Sequence, residues 1–133
     1  MSNWKQAHAV NLLNGTLIPG SYVPITGPIK IRQMSVTPTE SAPGTELAGA
    51  GFTAGGVAVA WNAPVAATGT YSATCGNQAL TIVSAPAGTV NGVLIVDSNA
   101  TSREMLWGPL AAARTLVAGD TLSYPNNSLV AST

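Results

Sequence analysis

From Gly15 onward the chain is interrupted too often by glycine and proline to build long helices. All nine prolines and all fourteen glycines fall in that stretch. The runs between them are rich in β-branched residues, which favour strands. Pro19-Gly20, Pro24, Gly27-Pro28 and Pro43-Gly44 mark turns or irregular segments. Ile29 to Val36 alternates, with its apolar parity switching after Arg32, which predicts a strand with a bulge. Val57, Val59 and Trp61 alternate with Ala58 and Ala60. Further strands are expected at Leu80–Val83, at Val90–Val96 and at Met105–Trp107 before Gly108-Pro109. Arg114–Val117, Thr121–Tyr124 and Leu129–Ala131 complete the set. Short strands separated by turns predict a mostly β fold, an antiparallel sandwich, jelly roll or barrel. The Ala/Gly/Thr texture between Ala48 and Thr74 reads as compositional bias, with no internal repeat.

One segment reads as a helix. Ser2 or Asn3 is placed to cap its start, and Asn14-Gly15 to stop it. Trp4, Ala7, Val10 or Asn11, and Leu13 fall near helical spacing, and Leu17 extends the stripe. The stripe either packs on the chain's own sheet or docks on a neighbouring subunit. The organisation expected is one domain over 1–133, with a helix in 1–15 and a β core in 29–131. Thr37 to Gly56 is a long loop rich in Thr, Pro, Gly and Ala, and a loop of that length in a small domain has a function or folds over something.

Charge bounds the function. Only 8% of the 133 residues are charged, and the formal net charge is zero, against roughly 25% charged in an ordinary domain. A solitary chain of this kind is poorly soluble, so much of its surface is expected to be covered by neighbours. No basic stripe for nucleic acid is present. The uncharged stretch from Leu47 is broken by Gly, Thr, Asn and Pro and does not read as a membrane span, and the N-terminus lacks the layout of a secretory signal.

Catalytic residues are not expected. His8 is the single histidine, with no acid beside it in sequence, so a Ser-His-Asp arrangement has no support. Glu40, Glu46, Asp97, Glu104 and Asp120 form no cluster for calcium or magnesium, and no metal or other cofactor is implied. Asp97 and Asp120 sit at strand ends, where carboxylates bond turn backbone. Cys75 is alone and reads as a small buried hydrophobe. Gly51 to Gly56 lacks the Lys-Ser/Thr ending of a phosphate loop. Asn99-Ala100-Thr101 is a formal glycosylation sequon. Trp4, Trp61 and Trp107 suit core or interface anchors better than a sugar-binding face.

The order of several motifs resembles small virion proteins of tailed bacteriophages, especially phages of actinobacteria. It runs from Thr37-Pro38-Thr39 through Gly44–Phe52 to a hydrophobic strand ending at Asp97. It continues with Leu106-Trp107-Gly108-Pro109-Leu110, Arg114-Thr115, Gly119–Leu122 and Leu129-Val130. Phe52-Thr53-Ala54 departs from the family's more frequent Tyr-Ala-Arg, and Gly15–Pro28 is unusually proline-rich. Members are described as tail-fibre-like, minor tail or minor capsid proteins. The resemblance implies a non-enzymatic structural protein of the virion, assembled in the host cytoplasm. The expected role is a decoration or minor capsid protein that cements the major capsid protein lattice, with homo-oligomerisation. The alternatives are a minor tail or fibre component contacting the host surface, and a small carbohydrate-binding domain. Contacts are expected at Trp4, Val10 and Leu13 in the helix, at Thr37, Glu46 and Phe52 in the long loop, and at Trp61, Trp107 and Tyr124.

Overall fold

The computed structural model describes residues 3–49, 51–62, 65–67, 70–74, 78–81, 88–98, 103–124 and 128–132. In chain order the elements are β1 (Asn3–Trp4), α1 (Gln6–Leu17), β2 (Ile29–Val36), β3 (Thr45–Glu46), β4 (Val57–Val59) and β5 (Val65–Ala67). Then follow β6 (Thr70–Thr74), β7 (Gln78–Thr81), β8 (Gly88–Val96), β9 (Glu104–Leu116), β10 (Thr121–Tyr124) and β11 (Ser128–Ser132). The main sheet runs β1-β9-β8-β2-β3, with β4 also pairing β2. β10 pairs β7, and β11-β6-β5 form a third sheet. Every pairing is antiparallel.

β2 and β8 carry apolar residues on both faces, so each face of the main sheet has a core. On one face Met34, Leu94 and Val96 pack with Trp107. On the other, Ile31 and Val59 pack with Trp61, Val93 and Ile95. A third cluster at the end of the sheet joins Phe52, Val90, Leu116 and Leu122, flanked by Leu47 and Leu110. Leu122 brings β10 onto the main sheet there. Burying such side chains contributes roughly 1.5–3 kcal/mol each.

The parity switch in β2 has a different cause from the one expected. Ile31 faces one core and Met34 the other, so no bulge is needed after Arg32. The irregularity falls later, where Met34 and Val36 oppose the adjacent Glu46 and Thr45, leaving Ser35 as the extra residue. β9 also departs from expectation. Gly108-Pro109 does not end it, and the strand continues to Leu116. Val90 opposes Arg114 whereas Gly92 opposes Pro109. Leu110–Ala113 thus stand opposite Asn91 alone, a bulge that follows the paired Pro109 without ending the strand. β5 and β6 lie in the later part of the Ala/Gly/Thr-biased stretch, where small residues give no hydrophobic alternation to mark a strand. Cys75, Ile82-Val83 and the Asn99-Ala100-Thr101 sequon lie outside the described residues.

The helix begins and ends later than expected. Asn3 and Trp4 are strand, paired with Trp107 and Leu106. Lys5 therefore occupies the cap position, with no side-chain cap bond. Asn14-Gly15 does not stop α1. A Cβ on Gly15 would lie 2.7 Å from the Cβ of Tyr22, so glycine at this position lets Tyr22 lie directly on the helix. The long loop after β2 folds over the sheet end, placing Phe52 in the third cluster. Gly44 makes that path possible, since its φ is +72° and a Cβ would meet the Val36 carbonyl oxygen at 2.4 Å. The result is a single small, mostly β, antiparallel domain with a short N-terminal helix, as the sequence predicts.

Candidate interaction surface on the N-terminal arm

Residues 3–28 form an arm whose apolar residues face outward. His8 is the only buried residue of α1. Val10, Leu13 and Leu17 are exposed, Leu17 at 75%. The following segment adds Ile18, Tyr22, Val23 and Ile25, all exposed. No Asp, Glu, Lys or Arg occurs from Gln6 to Ile29. The expected stripe of α1 thus exists, but it points away from the chain's own sheet. A 12-residue helix that buries one polar side chain gains little from its own fold. An uncharged, exposed apolar surface of this kind is a candidate interaction site.

Polar groups fasten the arm to the body. The Lys5 amide donates to the Met105 carbonyl oxygen at 2.8 Å. The buried Lys5 ammonium donates to the Thr39 carbonyl oxygen at 2.8 Å and to that of Ala42, and pairs with Glu104 at 2.9 Å. Gln6 donates its amide to the Glu40 carbonyl oxygen at 3.3 Å. Further along, the Asn11 side chain both donates to and accepts from the Val23 backbone, at 3.0 Å each way. Arg103 donates through Nη1 and Nη2 to the carbonyl oxygens of Val23 and Pro24, each at 2.8 Å. It is held by Asp97, whose Oδ2 lies 2.7 Å from Nη2 and 3.1 Å from Nε. Asp97 is fully buried and also accepts from the amides of Arg103 at 2.9 Å and Thr26 at 3.5 Å. Ser98 closes the end of the arm, donating its amide to the Thr26 carbonyl oxygen at 2.7 Å and its hydroxyl to that of Pro28.

The expected turn roles of the two aspartates hold, since Asp120 accepts from the Val117 amide at 2.9 Å. His8 is a packing residue, stacked on Trp4 with ring centroids 5.3 Å apart. Burial foremost, and then the Arg103 charge, lower its pKa from the ordinary 6.5, while Asp97 pulls the other way.

The other expected contact residues divide. Trp4, Val10 and Leu13 are exposed on the arm. Thr37 is half-buried and donates to the Asn91 carbonyl oxygen at 3.3 Å. Glu46 braces the loop internally, accepting from the Gly55 amide at 2.7 Å and lying 3.7 Å from Arg32 Nε. Phe52 is core, not contact surface. Trp61 and Trp107 are half-buried against the two sheet faces, apart from the exposed Trp4. Tyr124 is placed only as a backbone position in β10, opposite Gln78. Ile18, Tyr22, Val23 and Ile25 were missed as surface residues; the signal was the charge-free run through them. Among the described residues no group of His, Cys, Asp or Glu is arranged to hold a metal ion, and no helix is long and apolar enough to cross a membrane.

Compared with known families, residues 2–132 match the sequence model described as podophage GP4 fiber I protein gp80. No curated protein matches the chain.

Proposed function

The chain belongs to the podophage GP4 fiber I protein gp80 family, and on that premise we propose that it is a fibre component of the phage particle. It is a virion structural protein. The observation that carries the narrower reading is the match to a fibre family over nearly the whole length. The fibre role, an alternative at the level of sequence, thereby takes precedence over capsid decoration. An origin among phages of actinobacteria remains part of the proposal, resting on the motif order alone. The charge-free arm supports assembly by burial, because desolvating it sacrifices no ion hydration. The partners proposed are other virion proteins, including further copies of this chain, and neither nucleic acid nor a membrane. No catalysis is assigned to it.

The test is location and copy number in purified particles. Immunogold labelling is expected to mark the tail, and gel densitometry to show far fewer copies than the major capsid protein. Labelling spread over the shell, at a copy number comparable with the major capsid protein, would overturn the fibre assignment and restore the decoration role.

A further inference from the structure

We propose that the arm, residues 3–28, is an acid-released strap whose trigger is His8. The three apolar clusters are built from residue 31 onward and draw no side chain from the arm. Described contacts that hold the arm are therefore mainly polar, and it can leave while the core stays packed. His8 is the arm's inward-facing side chain, with 2% of its surface exposed, stacked on Trp4 of the same arm. Its Nδ1 is buried with no hydrogen-bond partner.

The charged groups facing His8 are Arg103 and Asp97. Lys5, one turn earlier on the arm, is paired with Glu104. Asp97 already binds Arg103 through three hydrogen bonds. An imidazolium at His8 would be a second cation near Arg103, in a dry site, with an unmatched Nδ1–H. Lifting the arm hydrates the imidazolium. The same movement parts Val23 and Pro24 from Arg103, so one protonation loosens the whole strap. The lowered pKa has the matching sign. The open state binds the proton more readily, so closure is fully favoured above 6.5 and weakens as pH falls below it.

Hydrogen exchange read by mass spectrometry at pH 7.5 and 5.5, corrected for intrinsic rates, tests this. Amides of α1 and of 18–28 are expected to open up to about tenfold more often at the lower pH. β2 and β8 are expected to keep their protection. His8→Gln and His8→Phe, the latter retaining a ring against Trp4, are both expected to abolish the response. The proposal is overturned if the arm does not respond in the unmodified chain. It is equally overturned if either folded variant retains the response, or if β2 and β8 lose protection together with the arm.

Discussion

At the scale of single residues, the arm depends on a few buried charges. Asp97 has no exposed surface and serves Arg103 and the amides of Arg103 and Thr26 at once. Replacing it leaves a guanidinium and backbone donors short of their acceptor. We expect Asp97→Ala to cost about 3 kcal/mol, measured by urea unfolding; a change below about 0.5 kcal/mol, typical of a surface site, would show that the ion pair is not structural. The wording of the sequence predicted this residue's role, since an aspartate closing a hydrophobic strand before Ser-Asn bonds turn backbone. Its pairing with Arg103 and its hold on the arm come from the folded chain.

At the scale of elements, α1 is a helix that its own domain hardly covers. Gly15 sits inside it, where alanine is ordinarily better by about 1 kcal/mol. Here the alanine methyl would collide with Tyr22, so Gly15→Ala is expected to destabilise the arm. In a Tyr22→Gly background the same change should become stabilising. A calorimetric double-mutant cycle reads the reversal, and an unchanged sign would mean that Tyr22 does not pack there. Leu13 and Leu17 give the complementary case. Both are exposed, so Leu13→Asp with Leu17→Asp should shift stability by no more than about 0.5 kcal/mol per site. Incorporation into particles should nevertheless fall sharply in a complementation assay. Normal incorporation would remove the arm from the assembly surface.

At the scale of the whole molecule, neutrality and exposed apolar surface act together. The pI is near 6.5, and a chain without net charge has little electrostatic protection against association. The isolated protein is expected to be least soluble near that pH and to form concentration-dependent oligomers. Ile18→Lys should raise solubility and suppress the oligomers, as followed by light scattering. If the oligomers persist unchanged, association uses another face. Solubility and strap release are separable, because the first depends on net charge and the second on His8 alone.

The sequence by itself determined the fold class. Frequent glycine and proline forbid long helices, and period-two runs such as Val90–Val96 specify strands because alternate side chains meet opposite faces. One histidine and five scattered acids also set the expectation that no ordinary catalytic set is present. Strand boundaries at β9 and the position of the β2 bulge were decided only by tertiary pairing, since both depend on which residues lie opposite. The direction of the α1 stripe was decided the same way. Helical spacing says which residues share a face, but not whether the sheet or the solvent lies beyond it. Here Lys5 turns inward to polar partners and His8 to Trp4, and the apolar face is left outward.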